Sequence, residues 1–544
     1  MTKRNTRGVV VCPQSRAAEV GAQVLEAGGN AFDAAIATAF VQMIVDPFMC
    51  GVAGFASAHL WAPALGRHQI IDGNLRVGSK AHPDMWSQDY QGRAPLSGAS
   101  IFAGYRSEIG YSSICVPGTV AAFGELHCQY CTLPWADLLQ PAIHIAREGF
   151  QATPYMRTFL FGRPHPGTPD GLTRLRASEP CTRLYLRPDG SLFEVGDVIH
   201  NPDYAGVLET LAARGWEEFY RGELAQAIGK DLERNGAWVT TQDLEQYHPL
   251  VQTPNTTTYR GYKVFSNRSP LGGPLLLEAL NILEGFDLSR LDHNSPEHLT
   301  LVADILRLVF EDRLHYLGDP ETTRPTPEEL SLSKQHARQL GKNRRNISVT
   351  PATGRGNEHT THLVVVDHDG NIATITHSLG YISGIITPGM GFLYNNGMNN
   401  FDPIPGRPNS IAPGKLRIGT IMPTIVFQDT EPRLALGAPG GNAILSGCFQ
   451  AISNVLDFGM TAAETVSAPR IHAEESTVWC EARTRSDTCA ALEKEGYTVK
   501  HQLWSYAPQL ALVQLAHLLP DGQLQGASDP RCGGDVCYTR STQQ

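Results

Sequence analysis

The chain has 544 residues with 44 Lys plus Arg against 54 Asp plus Glu, a formal charge of −10 and no basic run able to track phosphates, which excludes nucleic acid as a partner. Hydrophobic residues make up 42% and charged residues 18%, and 53 glycines with 36 prolines imply many ordered turns, so disorder is excluded as well. The longest apolar stretch, residues 34–45 between Asp33 and Asp46, falls far short of the roughly 20 residues a membrane crossing needs and reads as a buried helix.

In chain order, Met1-Thr2-Lys3-Arg4-Asn5-Thr6-Arg7 runs into Gly8-Val9-Val10-Val11-Cys12, too brief for a signal-peptide core. Eleven cysteines, an odd and scattered count, fit reduced thiols, so the expected address is cytoplasmic. Cys128 and Cys131 form a lone CxxC, read as helix-face packing. Residues 17–27 carry Val20, Val24 and Ala27 at helical spacing and stop at Gly28-Gly29-Asn30. A second, almost uncharged helix is predicted over 33–45, with others over 135–148, 203–214, 222–235, 274–284 and 296–316. A polar tether spans 324–357, and Thr350-Pro351-Ala352-Thr353-Gly354-Arg355-Gly356 within it is the expected exposed segment.

From Thr360 the texture changes. Residues 361–366 and 372–378 are short β-branched runs joined by His368-Asp369-Gly370-Asn371, a hairpin signal, and a second strand pair, 424–427 and 433–437, straddles 428–432. Strands apolar on both faces belong to a sheet covered on both sides, which points to an α+β fold of αββα layers.

Signatures such as GxSxG, HExxH, a Walker loop or a strand followed by GxGxxG are missing, and what remains is centred on threonine. Thr360-Thr361-His362 stands where a polar tether meets a buried strand, the place at which a self-cleaving precursor would expose a new terminus. A hydroxyl needs an adjacent base, and an N-terminal threonine carries its own: an α-amine of pKa about 7.7–8.0 is partly neutral and can take the hydroxyl proton. With Asp369-Gly370 as a two-residue turn, facing residues sum to 739, which sets Ser378 opposite Thr361 and beside Thr360, within reach of the nucleophile. Gly440 and Gly441, in Gly437-Ala438-Pro439-Gly440-Gly441-Asn442-Ala443, can present N–H groups to an oxyanion. No metal and no organic cofactor is required.

Together these pieces resemble the γ-glutamyltransferase family of N-terminal nucleophile hydrolases over nearly the whole chain. The resemblance rests on Gly28-Gly29-Asn30-Ala31-Phe32-Asp33-Ala34-Ala35, Val116-Pro117-Gly118-Thr119-Val120, the 133–150 helix, Thr360-Thr361-His362 and Asp367-His368-Asp369-Gly370-Asn371. It continues in order through Asn395-Asn396-Gly397-Met398-Asn399-Asn400-Phe401, Met422-Pro423-Thr424, Gly440-Gly441, Ala468-Pro469-Arg470 and Ala527-Ser528-Asp529-Pro530-Arg531. It implies scission between His359 and Thr360 into a large subunit, residues 1–359, and a small subunit, 360–544, that together make one αββα fold. A homo-oligomer of that heterodimer is compatible with the same reading.

The departures fall in the substrate pocket. Members that grip glutamate use an arginine for its α-carboxylate; Asn74 stands there, two residues before Arg76. Their amino-group ligands are replaced by Gly380, Gly397 and Asn400, their Ser-Ser pair by Gly419-Thr420, and their second threonine by Ser378. The segment Gly51-Val52-Ala53-Gly54 is reduced, and 401–422 is short where others carry a long lid, so a more open mouth is expected. Burying a glutamyl zwitterion without these partners would cost several kcal/mol. Because the family accepts oxamate and cephalosporin side chains, the resemblance implies a non-glutamyl acyl group, with Arg417 and Arg76 the cations to test. The alternatives are genuine γ-glutamyl transfer and glutathione hydrolysis through a rearranged grip of Arg76, Thr420 and Asn400, or an unprocessed binding relative.

Overall fold

A computed structural model describes residues 8–93, 100–161, 168–323, 326–344 and 359–539. The chain opens with β1 (Val9–Cys12), α1 (Ser15–Glu26) and α2 (Ala31–Val45). The α2 helix starts two residues earlier than its composition suggests because Asn30 caps it, accepting from Phe32 N and Asp33 N while Asp33 reaches back to Asn30 N. Its residues are buried almost all round, as the uncharged pattern requires.

The first sheet runs β13-β1-β7-β8-β2-β3-β4, with β2 (Phe55–Ala62), β3 (Arg67–Gly73), β4 (Leu250–Gln252), β7 (His359–Val366), β8 (Ile372–Gly380) and β13 (Asp535–Tyr538). The second runs β12-β11-β10-β9-β6-β5, with β5 (Asn255–Tyr259), β6 (Tyr262–Ser266), β9 (Thr424–Gln428), β10 (Glu431–Gly437), β11 (Gln514–Leu518) and β12 (Leu524–Ser528). Between them, Val9, Val11, Val364, Val366 and Ile372 pack on Ile425, Phe427, Ala435 and Ala516. The other face of the first sheet, including Val10, Leu363, Val365 and Ile375, packs under α1, α2, α3 (Thr119–Tyr130), α4 (Trp135–Glu148) and α5 (Pro202–Arg214). The outer face of the second, including Val426, Leu434 and Leu436, packs under α7 (Gly273–Leu283), α8 (Pro296–Tyr316) and α11 (Ala443–Leu456); α6 (Glu223–Arg234) joins the first helical layer. The αββα sandwich is therefore present layer by layer.

Both sheets draw strands from before and after the 359/360 junction, and in the first sheet these strands are interleaved. The strand β7 lies between β1 and β8, and β8 pairs with β2, so a cut at the junction would leave two chains sharing one core. Close approach of the two sheets requires Gly437 on β10: a Cβ there would come within 2.2 Å of the His362 ring of β7.

Two expectations need correction. Within the polar segment expected to be a tether, α9 (Pro327–Ser331) and α10 (Lys334–Asn343) are helical, because Thr326 and Ser333 cap helices and Ala337 and Gly341 pack inward against α7 and Phe286. The exposed stretch expected at 350–356 lies outside the described residues, as do residues 1–7. The second hairpin is tighter than its composition implied, with Gln428 paired to Glu431 and Asp429 in the left-handed region at φ 55°. No helix among the described residues is long and apolar enough to cross a membrane, and all eleven cysteines are free thiols.

Candidate active site

The hairpin of β7 and β8 closes through a three-residue loop, His368-Asp369-Gly370, rather than two. Gly370 takes φ +81°, and the Asp367 carboxylate accepts from Asp369 N, Asn371 N and the Asn371 amide. Ala31 N, at the start of α2, donates to the same carboxylate at 2.9 Å and ties the turn to the helical layer. The extra loop residue shifts the register by one. Thr360 faces Ser378 and Thr361 faces His377, not Ser378. Side chains directly opposite share a face, so this shift puts both hydroxyls on the side of the second sheet.

Thr360 Oγ1 lies 2.9 Å from Ser378 Oγ, and both residues are buried, Thr360 at 1% exposure. The register steps once more at the His359–Thr360 bond, where His359 pairs with Gly380 and Leu379 is the extra residue of a bulge. The bulge brings the His359 carbonyl oxygen against Ser378, whose hydroxyl donates to it in a short contact. Gly380 N donates to the same Ser378 oxygen at 2.9 Å. A hydroxyl has one hydrogen and two lone pairs. Spending the hydrogen on the His359 carbonyl leaves the lone pairs for Gly380 N–H and the Thr360 hydroxyl. While the strand is continuous the expected open mouth does not reach Thr360, which is buried.

The histidines around this point are held neutral. Burial, with a smaller push from Arg174, drives the His359 imidazole down to about 3, and its Nδ1 lies 3.1 Å from the Phe48 carbonyl. Its ring packs on Tyr381, which lies under the Arg174 guanidinium at 4.7 Å. Arg174 is itself buried and paired with Glu108 at 2.8 Å. Burial also holds His362 and His377 at about 3. The unfolded chain titrates these rings near 6.5, so between that pH and about 3 it binds more protons than the folded one. Stability from these groups is complete above pH 6.5 and lost on acidification. His377 Nε2 lies 2.8 Å from Gln42 Oε1, a contact glutamine can imitate. His377→Gln should therefore gain about 2 °C in Tm relative to wild type between pH 7 and 4.5, from at most about 3 kcal/mol of linkage; differential scanning fluorimetry at both pH values reads it.

Gly440 and Gly441 adopt φ +140° and +58° in the turn between β10 and α11. Only glycine fits the first: a Cβ there would sit 2.7 Å from Ala511 Cα. Thr420 donates to the Gly441 carbonyl at 2.7 Å, which joins this turn to the segment carrying Gly419 and Arg417. A Cβ on Gly419 would be 3.3 Å from Arg417 Nη1, and one on Gly380 3.7 Å from Arg417 Nη2. A chain of contacts thus runs from Ser378 and Gly380 through Arg417 and Gly419 to Thr420 and Gly441.

Other sequence-predicted residues are placed differently. Asn74 is buried and donates its amide to the Arg417 carbonyl at 2.7 Å, so it holds backbone. Arg76 is bonded to the Gly414 carbonyl and does not share the position of Arg417. Gly397 is hemmed in by Leu75 and Cys115, which a Cβ would approach to 2.5 and 2.9 Å, making it a packing position. Asn400 reaches the Ile418 carbonyl at 3.4 Å, on the Arg417 segment. Sequence reasoning missed Phe55, Tyr381 and the Glu108–Arg174 pair, for which no local pattern exists. Arg417 is fully buried.

One trio among the described residues has donor atoms near enough to hold a cation: Glu278, Asp312 and His336, on α7, α8 and α10. His336 Nε2 is 2.6 Å from Asp312 and Tyr316 donates to Glu278 at 2.6 Å, so these groups also knit the three helices directly.

The gamma-glutamyltranspeptidase family model matches residues 17–539. The acylase ACY 1 proenzyme of Pseudomonas sp. (strain V22) is 33% identical over 541 residues, covering 97% of this chain and 93% of its own. The glutathione hydrolase proenzyme of Escherichia coli (strain K12) is 31% identical over 555 residues, covering 98% and 92%. Among solved structures, a cephalosporin acylase from Bacillus halodurans superimposes with a TM-score of 0.86 at 29% identity, covering 98% of this chain and 95% of that one.

Proposed function

The chain belongs to the gamma-glutamyltranspeptidase family and is an autoprocessed N-terminal nucleophile hydrolase of amide bonds, and from that premise we propose that the scissile bond is His359–Thr360 and that the mature enzyme removes a non-glutamyl acyl group. The observation that carries the first half is the position of Ser378, hydrogen-bonded at once to the Thr360 hydroxyl and the His359 carbonyl. In the precursor the Thr360 oxygen attacks the His359 carbonyl carbon, Ser378 stabilises the developing oxyanion, and the peptide bond becomes an ester. Water hydrolyses that ester, leaving His359 with a carboxylate and Thr360 with a free amine. Residues 1–359 and 360–544 are then the large and small subunits.

In the mature site the Thr360 amine takes the hydroxyl proton as the oxygen attacks a substrate amide and returns it to the leaving amine, while Gly440 and Gly441 N–H groups stabilise the tetrahedral oxyanion. Water then releases the acyl group. The residues of this machinery ask for no metal and no cofactor.

A non-glutamyl acyl group is supported by what stands where a zwitterion would need partners. Asn74 is committed to backbone, Gly397 to packing, and Gly380 has no side chain. Eleven unbridged thiols fit a reducing compartment such as the cytoplasm. The deciding measurement is kcat/KM on the processed protein for anilides of γ-glutamyl, oxamyl and simple aliphatic or aryl acyl groups. We expect the non-glutamyl compounds to be preferred by at least about tenfold, about 1.4 kcal/mol of discrimination. Preference for the γ-glutamyl anilide would instead establish glutathione-type chemistry with a rearranged grip.

A further inference from the structure

We propose that Glu278, Asp312 and His336 bind one divalent transition-metal ion of the zinc type, a structural cation that fastens the last described helix ahead of the 359/360 junction to its neighbours. The three residues stand on α7, α8 and α10, all before the junction, and none belongs to the chemistry assigned to Thr360.

Local structure aims the three donors at one point. Asp312 and Tyr316 are one turn apart on α8 and so share a face. Tyr316 donates to Glu278 Oε2 at 2.6 Å, which fixes the carboxylate with its other oxygen, Oε1, 3.6 Å from His336 Nε2. Ser333 caps α10 by accepting from His336 N at 3.2 Å, and this first turn sets the imidazole 2.6 Å from Asp312 Oδ2. All three donor atoms lie within 4.8 Å of one another. Glu278 is 0% exposed, and its Oε1 has no hydrogen-bond partner among the described residues.

A buried carboxylate oxygen left unpaired is costly, and here a second carboxylate stands beside it. Among the described residues His336 is the only cationic group paired with either acid, while Lys334 of the same helix is engaged by Glu284 at 2.6 Å. A dication supplies the missing charge. One imidazole with two carboxylates suits zinc-type ions, whereas Ca²⁺ and Mg²⁺ take oxygen ligands throughout. Ligand bonds of about 2.1 Å put tetrahedral donors about 3.4 Å apart, close to the His336–Glu278 separation. Asp312 has to back away from His336 by under about 1 Å, and both side chains are part-exposed and able to move. A ligating carboxylate usually carries a hydrogen bond on its free oxygen, and Tyr316 supplies it. The competing occupant is a proton, because burial and then Asp312 push the Glu278 carboxyl well above the usual carboxylate range. A shared proton would leave the protein indifferent to chelators and to added metal.

The test uses the full chain, stripped with a chelator and titrated with Zn²⁺ alone near pH 7.5, with calorimetry and differential scanning fluorimetry as readouts. Eleven free thiols are rival ligands, so the difference between wild type and His336→Gln decides, not total uptake. We expect wild type to bind one more Zn²⁺ per chain than His336→Gln and to gain about 3 °C in Tm at 100 times the dissociation constant, a gain that falls below about 1 °C in the variant. Tyr316→Phe should keep the site and weaken it by about 10–100-fold. Ca²⁺ and Mg²⁺ at the same concentration should leave Tm unchanged. Asp312→Asn, of the same shape, gives the same reading if His336→Gln does not fold. Equal Zn²⁺ uptake and equal Tm gain in wild type and variant, or no gain in either, overturns the proposal. Neither readout involves turnover, so the outcome is independent of whether Thr360 is the nucleophile.

Discussion

Thr360→Ala protein should remain a single chain through prolonged incubation and should hydrolyse acyl anilides at least about 10⁴-fold more slowly than wild type, the scale seen when the nucleophile of a concerted catalytic unit is removed. In the proposed mechanism Thr360 supplies two groups that no other residue replaces: the hydroxyl that attacks its own preceding carbonyl, and the amine that this attack sets free. The side chain is buried on the face of the second sheet, and losing one hydroxyl and one methyl there leaves the hairpin register untouched. Intact-mass spectrometry reads the cleavage, and wild type should give two fragments meeting between His359 and Thr360. A wild-type chain that stays whole would favour a binding relative over an enzyme, and a cleaved or active alanine variant would remove Thr360 from the mechanism.

Ser378→Ala should slow self-cleavage by about 10²–10³-fold, the usual effect of deleting one oxyanion donor in acyl transfer, while Ser378→Thr should cleave nearly normally because it keeps the hydroxyl. The physical reason is the division of labour on one oxygen, which donates to the His359 carbonyl and accepts from Thr360 and Gly380. Deleting it also leaves a buried carbonyl and a buried N–H without their partner, which costs about 1–3 kcal/mol each and should lower Tm by a few degrees. The time course of fragment appearance on denaturing gels separates the two effects: a purely structural role would change Tm and leave the first-order rate constant of cleavage within about threefold, 0.7 kcal/mol of barrier. Mature activity should fall too, since the same hydroxyl remains beside the nucleophile after cleavage.

Helices announced by periodicity and caps were legible in the sequence. Those over 135–148 and 296–316 begin and end where the pattern places them, and the others agree to within about two residues. The proposed nucleophile was read from a combination: a threonine pair where a polar tether meets a buried strand and a glycine pair after a strand are each commonplace alone, and it is their occurrence together, in family order, that singles them out. By contrast, β1 is four apolar residues with no alternation, and nothing local reveals that it lies beside β7, some 350 residues away. The first half of the tether read as coil because its helices are polar and short, yet capping by Thr326 and Ser333 and contact with α7 hold them.

What the sequence determined by itself was the chemistry and the layers, because hydrophobic period, turn residues and nucleophile type are local properties. What only the tertiary structure decided was alignment. One additional loop residue, stabilised by the Asp367 carboxylate, moved Ser378 from beside Thr360 to directly opposite it and so onto the same face of the sheet. The same holds for the two arginines: Arg417 and Arg76 are equivalent on paper, but packing against Phe55, the strand partner of Ser378, and a hydrogen bond from Asn74 fix one, whereas the other turns to Gly414. Register and burial arise from contacts between residues hundreds of positions apart, and no window of sequence contains them.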